Sequence, residues 1–352
     1  MSLNRDSVLS SVIAHRSYPR TAFDSYLILT DKATFEEDYR VYQSSDAFLL
    51  DNTHKDLQQV GLVGFAQEPK ATTVILAKTD PANKSVGALV TRMVELDSIL
   101  EDDFFAVCVV SSHSDDQLLE LAKYCETQEM LGMFYTNNPV TITTAKTDLP
   151  SRMEDLGLRH SACWYHKDKR LDIAFISRFL GEKIGLVSAK HLVLPLIDAS
   201  NLTTSEMQNI LDKNCNVYDR ERKKYIFTKQ GTTASNENIS FVAGQIFVSV
   251  TCIEALYELQ LNNSKLSFNS IDLKRVLSAL QFQLKKAQNQ KIIAEDDPEL
   301  GASYLIRLNP IRSEDKLEIE IKYLDAGVMK FITLKFTAFR DDTQFNIERS
   351  IA

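Results

Sequence analysis

The sequence predicts a mixed α/β fold, with central sheets flanked by helices. Short apolar, β-branched runs such as residues 72–77 (TTVILA) and 104–110 (FFAVCVV) indicate buried strands. Between such runs lie longer segments whose apolar residues recur every three or four positions, as they do on amphipathic helices. Strand and helix signals alternate along the chain, and this alternation is typical of a sheet covered by helices.

Length and composition describe an ordinary globular protein. The 352 residues are 44% hydrophobic and 25% charged, which predicts one large or two smaller domains. A net charge of -8 argues against general nucleic-acid binding, although local basic patches stay open. We expect no membrane helix, because the longest apolar run in the first half, residues 104–110, is far shorter than the roughly 20 residues that span a bilayer. The N-terminus has no apolar signal core, so we expect a cytoplasmic protein.

The cysteines indicate reduced core thiols rather than a disulfide framework or a zinc site. There are five of them, widely spaced and without a CxxC pair. Free cysteine is among the most frequently buried residue types.

In the first half of the chain, apolar spacing and capping residues define the elements. Residues 32–40 predict a polar turn with a short helix, and a helix start is expected at Ser44 or Ser45. The helical run 54–67 carries Gly61 and Gly64 on its apolar face, which predicts a closely packed partner. Further strands are predicted at residues 23–30 and 130–136. Further helices are predicted at residues 86–100 and from 111–116 onward, and residues 149–158 are expected to form either a short helix or a loop.

The second half of the sequence predicts further helices, followed by several strands. Thr203 and Glu206 form a capping-box pattern that begins a helix over residues 203–213. A strand is possible at the start of the helical segment 241–261, and the helix 270–292 should turn Ile271, Val276, Leu277, Leu280, Leu284 and Ala287 inward. Strands are predicted at 160–166, within 181–197, in a hairpin at 216–229, and at 303–308, 317–324 and 328–339, the last two forming a second hairpin; a helix is predicted at 172–180.

The two ends of the chain look like arms on a two-part body. We expect an N-terminal arm at residues 1–22, a first α/β domain at 23–165, a second domain at 166–339 and a C-terminal arm at 340–352. The first arm has only isolated apolar residues (Leu3, Val8, Val12), and the second alternates Phe345, Ile347 and Ile351 with polar residues, as a strand does. Such an arm can add a strand to another sheet, but a frayed or internally docked tail fits equally well.

No constellation in the sequence favours catalysis. His160 and His166 fall on one face of a predicted strand, yet a metal site would need a third ligand. His113 beside Asp115 and Asp116 resembles an acid–base cluster, but carboxylates at a helix N-terminus explain the pattern more simply. Phosphate loops, nucleophile elbows and calcium-loop spacing are missing from the sequence. We therefore expect neither an enzyme nor a cofactor, and a cytoplasmic α/β enzyme is the alternative class.

One helix carries an unusual charge pattern. Residues 270–292 of this acidic chain contain one acidic residue, Asp272, and five basic ones: Lys274, Arg275, Lys285, Lys286 and Lys291. Such a basic face can meet an acidic partner surface. A solvated helix face accounts for it equally well.

Distributed motifs resemble the sheath proteins of contractile bacteriophage tails, in particular a sheath-like family of myovirus tails. They include GLVGFAQEPKATTVILAK, the strand pair FFAVCVV and MLGMFYT, and the terminal GVMKFITLKFTAF. The segment LVLPLIDASNLTTSEMQNILDKNCNVY, residues 192–218, is the most specific match. The resemblance covers most of the chain, and none of its motifs is catalytic.

This resemblance implies a structural subunit that polymerises with itself into stacked sixfold rings around a tail tube and contracts to drive the tube through the host envelope. The arms at 1–22 and 340–352 would add strands to sheets of neighbouring copies, and Lys274, Arg275, Lys285 and Lys286 would face the tube. Further implied partners are the baseplate and tail terminator proteins, with no nucleic acid and no membrane. Assembly would take place in the host bacterial cytoplasm and the product would be the virion tail; the sheath of a phage-like injection particle is the alternative within this class.

Overall fold

The computed structural model describes residues 22–100, 104–221, 224–263, 265–298, 301–311, 313 and 316–327. Its strands are β1 (Ser25–Thr30), β2 (Tyr39–Tyr42), β3 (Thr73–Lys78), β4 (Ala106–Val109), β5 (Leu131–Thr136), β6 (Ser161–Tyr165), β7 (Asn216–Glu221), β8 (Tyr225–Lys229), β9 (Tyr304–Ile311) and β10 (Lys316–Tyr323). Its α-helices are α1 (Ser45–Asp51), α2 (Lys55–Phe65), α3 (Ala88–Ile99), α4 (Asp115–Gln128), α5 (Leu149–Asp155), α6 (Leu171–Leu180), α7 (Thr204–Leu211), α8 (Ile239–Leu261) and α9 (Ser270–Asn289).

Eight of these strands form one sheet in the order β2-β3-β1-β4-β5-β6-β7-β8. The six strands from β3 to β7 in this order run parallel, whereas β2 and β8 are antiparallel to their neighbours and form the lateral ends. The expected domain division after residue 165 falls inside this sheet, because β6 and β7 are hydrogen-bonded neighbours.

Helices cover both faces of the sheet, as the sequence predicts for a mixed α/β fold. Alternate residues of each parallel strand point to opposite faces. Tyr26 and Ile28 of β1 join a core that contains side chains of α1, α2, α6, α8 and α9. Leu27 and Leu29 join a second core built with α3, α4, α5 and α7. The strands are therefore apolar on both faces, which explains their continuous apolar runs.

The glycines of α2 do mark a close contact. A Cβ atom at Gly64 would lie 2.9 Å from the hydroxyl of Tyr26, and one at Gly61 would lie 2.6 Å from a ring carbon of Phe48. The Ser177 hydroxyl of α6 also donates a 2.7 Å hydrogen bond to the Gly64 carbonyl. Small residues therefore let α2 lie directly on the sheet and on α6.

Helix α8 is the central helix of the first core. It is helical from Ile239 onward, so the strand considered at its start does not form. By length and composition this helix could cross a membrane, but 78% of its most apolar window is buried inside the fold. That burial is typical of the core helix of a globular protein.

All five cysteines are free and buried, as expected for core thiols. Burial raises the pKa of the Cys252 thiol to about 12. Burial likewise raises the pKa of Cys108 and Cys163 well above the ordinary value.

Two sequence predictions fail in the irregular segments. The short helix expected within 32–40 does not form; instead Tyr39–Tyr42 extend the sheet by pairing with β3. Residues 181–197 contain no strand. Positive φ angles at Gly185, His191 and Leu196 interrupt the extended conformation, and the segment is held by single bonds such as the one from the Leu194 amide to the Tyr218 hydroxyl (3.1 Å).

A separate hairpin of β9 and β10 packs beside α9. Its inward apolar side chains are only partly buried: Tyr304, Ile306, Leu308, Leu317, Ile319, Ile321 and Tyr323. The sequence predicts that β10 pairs with residues 328–339, which lie outside the described residues. Within the described residues, β10 pairs with β9.

Candidate assembly surfaces

Helix α9 is the element that carries the predicted basic face. Its Asn269 cap accepts hydrogen bonds from the amides of Ile271 and Asp272. The opposite side is apolar and buried, and it packs on α8 through Val276, Leu280, Leu284 and Ala287. Because these residues follow helical spacing, the remaining face is turned outward.

All four predicted contact residues lie on this outward side. Lys274, Arg275, Lys285 and Lys286 are exposed. The Lys285 ammonium donates to the Gln288 side chain (2.7 Å) and lies 3.9 Å from Asp296, while Lys286 lies 5.6 Å from the ring centre of Phe247. These are solvent-screened contacts, so the charges remain available to a partner.

Arg275 is held in place by the start of the helix. Its guanidinium contacts Asp272 (3.2 Å) and Asn263 (3.3 Å). Hydrogen bonds from Ser267 lower the pKa of Asp272, with a smaller contribution from Arg275. The carboxylate therefore stays charged and keeps Arg275 beside it.

Two exposed apolar side chains on the same face were missed by the sequence analysis. Ile271, which was predicted to point inward, is 65% exposed, and Phe282 is 69% exposed. Their spacing from Arg275 and Lys285 could have placed them there, because positions three and four apart share one helix face. The outward face of α9 is therefore basic with two apolar side chains, a mixture found at protein interfaces.

The C-terminal end of α9 is tied to the β9–β10 hairpin through Asp296. Its carboxylate accepts hydrogen bonds from the Gln288 side chain (2.8 Å) and the Ser303 amide (3.0 Å). These two bonds, Ser303 first, lower the pKa of Asp296. Helix and hairpin are thus fixed relative to each other by a charged group that stays ionised.

The predicted arm residues lie outside the described residues: Leu3, Val8, Val12, Phe345, Ile347 and Ile351. Their pairing with neighbouring copies stays a prediction. The described body begins just before β1, and the hairpin β9–β10 precedes the C-terminal arm.

The histidines considered as candidate ligands lie at opposite ends of β6 or just before α4. His160 precedes β6 and His166 follows it. No group of three or more His, Cys, Asp or Glu side chains that could hold a metal occurs among the residues the structure describes. His113 bonds to Gln117 (3.2 Å) and Thr79 (3.4 Å), and burial lowers its pKa.

His166 is a structural histidine locked in its neutral form. Its Nδ1 accepts hydrogen bonds from the amides of Asp168 (3.1 Å) and Lys169 (3.0 Å). Its Nε2 lies 2.9 Å from the Asp198 carbonyl and must therefore carry the proton. Burial lowers its pKa, so this ring joins β6 to two loops rather than binding a metal.

The carboxylates next to His113 serve the start of α4. Asp115 and Asp116 occupy its first turn, and the Ser114–Gln117 capping box closes it. Burial raises the pKa of Asp115. Asp116 contacts Arg152 of α5 (2.5 Å), so the cluster joins two helices.

Comparison with known proteins gives matches among solved structures alone. No protein family model and no curated protein matches the sequence. A chain of the anti-feeding prophage (AFP) baseplate, solved with sixfold symmetry, matches with a TM-score of 0.66 at 12% identity, covering 96% of this chain and 99% of that one. A chain of the AFP helical sheath in its contracted state matches with a TM-score of 0.65 at 12% identity, over 97% of this chain and 100% of that one.

A third match comes from another contractile system. The sheath complex of an extracellular contractile injection system, PVC, in its contracted state gives a TM-score of 0.62 at 12% identity, over 98% of this chain and 99% of that one. The likeness thus extends over nearly the whole chain. At such low identity it establishes architecture. The chain has the fold of sheath proteins from contractile injection systems.

Proposed function

We propose that this chain is the structural subunit of a contractile sheath, polymerising with itself into stacked sixfold rings. One observation carries the proposal: the chain matches sheath chains of two contractile systems over nearly its entire length and theirs. A catalytic role is not part of the proposal. Contraction would be a rigid-body rearrangement of subunit bodies between two lattices.

The arms at residues 1–22 and 340–352 are proposed to link the copies. Each would add a strand to a sheet of a neighbour, exchanging about five backbone hydrogen bonds worth roughly 0.5 to 1.5 kcal/mol each. Phe345, Ile347 and Ile351 would add buried apolar area. Such links hold subunits together while leaving the bodies free to rotate.

The outward face of α9 is proposed to contact the tail tube. Its charges suit an acidic tube surface, and Ile271 and Phe282 would supply apolar contact at the centre. A contact made mainly of exposed charges is weak, so it can be released when the sheath shortens.

The surrounding particle is proposed to be a contractile tail with a baseplate and a tail terminator, in which the sheath touches neither nucleic acid nor membrane. A myovirus tail, assembled in the bacterial cytoplasm and used for genome ejection, is the primary candidate. A phage-like injection particle is the second, and it is supported by the source of the matching structures, the AFP and PVC contractile systems.

Electron microscopy of the purified chain tests the proposal directly. We expect hollow tubes or stacked rings in negative stain. Deleting residues 340–352 should leave the body folded, as judged by circular dichroism, but give monomers in sedimentation velocity. Tubes formed by the truncated chain would contradict the role of the arm, and a wild type that never assembles would contradict the sheath function.

Reversing charge on α9 tests the tube contact. The double substitution Lys285→Glu and Lys286→Glu should leave self-association intact but abolish sheath formation around tail tubes. Reversal of two other exposed lysines, Lys123→Glu and Lys146→Glu, is the matched control because their side chains are 45% and 58% exposed. Normal extended sheaths from the α9 variant would refute the assignment.

A further inference from the structure

The two lateral ends of the eight-stranded sheet carry opposite charge. At the β2 end, residues 31–51 include six acidic and two basic residues. At the β8 end, residues 216–229 include five basic and two acidic residues. Because the whole chain has a net charge of -8, the basic end is a local exception.

The acidic residues that precede β2 (Asp31, Glu36, Glu37 and Asp38) and the basic hairpin lie at the same edge of the sheet. The acidic loop leaves the carboxyl end of β1, and Tyr39 at its far end aligns with Ala77 near the end of β3. On the other side, β7 continues beyond Val217, its last partner position to β6, so the paired ends of β7 and β8 at Glu221 and Tyr225 extend past that edge. The two groups are separated by the width of the sheet, about 34 Å for eight strands.

The acidic end is held in shape by two arginines. Arg40 contacts Glu37 (2.9 Å) and Asp51 (2.9 Å), and Arg92 of α3 contacts Asp38 (2.9 Å). These arginines fix the carboxylates but do not neutralise the end as a whole, and the neighbouring Glu36 is also exposed.

Apolar side chains are exposed beside these acids. Val41 of β2 is 38% exposed and Leu50 of α1 is 81% exposed. The outer edge of β2 has no strand partner among the residues that the structure describes. This end therefore combines an open strand edge, apolar contact area and a negative rim.

The basic end is built from the β7–β8 hairpin. Arg220 and Lys224 are exposed, and Lys229 lies 4.0 Å from the ring centre of Phe227 and 2.6 Å from Glu221. The apolar contact area here comes from Tyr225 (56% exposed) and, on the segment that covers β8, Val193 (65% exposed).

We propose that the β2 end of one copy docks on the β8 end of the next copy, head to tail. The choice of a second copy as the partner rests on the proposed sheath function. The complementary charges of the two ends, at one edge of the sheet, support this choice. Since the two surfaces differ, the contact is heterologous and repeats into a ring or a helix. Charge steers and orients the approach, and the exposed apolar side chains form its centre.

A charge-swap experiment tests this docking. One variant, Glu36→Lys with Glu37→Lys, leaves four acidic and four basic residues in 31–51 and so cancels the negative charge of the β2 end. The other, Arg220→Glu with Lys224→Glu, leaves three basic and four acidic residues in 216–229 and so makes both ends acidic. Each variant alone should assemble about tenfold more slowly than wild type at 50 mM salt, measured by light scattering, because the first loses the attraction between the two ends and the second replaces it with repulsion. An equimolar mixture should assemble faster than either variant alone, because the unchanged acidic end of the second variant then meets the unchanged basic end of the first.

Controls separate this contact from a general charge effect. The variant Lys123→Glu with Lys146→Glu changes the net charge by the same amount and in the same direction as the Arg220 and Lys224 variant, at exposed sites away from both ends, and should assemble at the wild-type rate. At 500 mM salt the differences should vanish as screening shortens the range of the charges. Thermal unfolding confirms that each variant folds, and the milder Gln substitutions at the same four positions replace any that does not.

The outcomes distinguish this inference from the proposed function. If wild type forms tubes while both end variants assemble normally, or if their mixture is no faster than either alone, the docking is wrong and the sheath function stands. A wild type that stays monomeric at every salt concentration overturns both. In one further outcome, the Arg220 and Lys224 variant loses heparin binding and yet assembles at the wild-type rate. That result would identify the basic end as a polyanion site and refute the docking.

Discussion

Removing one partner of the buried ion pair between Lys213 and Asp148 should strongly destabilise the fold. The two side chains are 2% and 0% exposed, and the ammonium lies 3.2 Å from the carboxylate. Lys213 also donates to the Val140 carbonyl (3.0 Å), and Ser151 donates to the other Asp148 oxygen (2.5 Å). The pair thus ties the end of α7 to the start of α5.

Lys213→Met keeps the volume but leaves the Asp148 charge buried without its cation. Breaking a buried pair in this way costs about 3 to 5 kcal/mol, because the remaining charge keeps its desolvation penalty. Adding Asp148→Asn removes that charge and keeps the shape, so the double variant should regain on the order of 2 kcal/mol. Urea unfolding followed by circular dichroism gives the free energies of unfolding.

The exposed pair of Lys123 and Glu120 is the matched control. Its atoms are closer, at 2.6 Å, but the side chains are 45% and 39% exposed. Lys123→Met should therefore cost under about 1 kcal/mol. If Lys213→Met also cost under about 1 kcal/mol, burial would not determine the strength of these pairs and the reasoning would be refuted.

Two further predictions concern a histidine and a glycine. Because burial lowers the pKa of His166 below its unfolded value of about 6.5, its contribution to stability should be complete above pH 6.5 and be lost as the pH falls from there through the folded pKa. Between pH 7.5 and 5, the urea midpoint of His166→Gln should depend less on pH than that of the wild type. An equal pH dependence would contradict the assignment of His166 as a buried neutral histidine. Gly64→Ala should lower the free energy of unfolding by about 1 to 2 kcal/mol through overlap with Tyr26, whereas Gly87→Ala, with no atom within 4 Å of its new Cβ, should change it by under about 0.5 kcal/mol; equal effects would show that α2 can shift.

The regular elements were predictable because their signals are local. Buried parallel strands are apolar on both faces, so residues 72–77 and 104–110 stood out without knowledge of their partners. The capping box of Thr203 and Glu206 forms as predicted and begins α7. Such features depend on a few neighbouring residues.

What the sequence could not give depends on partners far along the chain. β2 is a four-residue edge strand with two polar or exposed positions, and it becomes a strand only through pairing with β3. The apolar character of Ile271 predicts burial, but the side chain is 65% exposed because its position near the cap turns it away from the α8 contact. The opposite charges of the two sheet ends appear only after the strand order brings residues 31–51 and 216–229 to opposite sides.

Because all five native thiols are buried, the chain is suited to site-specific labelling at an introduced cysteine. Maleimide reagents attack exposed thiolates, whereas Cys108, Cys163 and Cys252 are enclosed and hold their protons. A single cysteine introduced at a surface position such as Ser278 on α9 can therefore carry a fluorophore without removal of the native residues. Distance measurements between labelled subunits would then test in real time whether an assembled particle shortens as proposed.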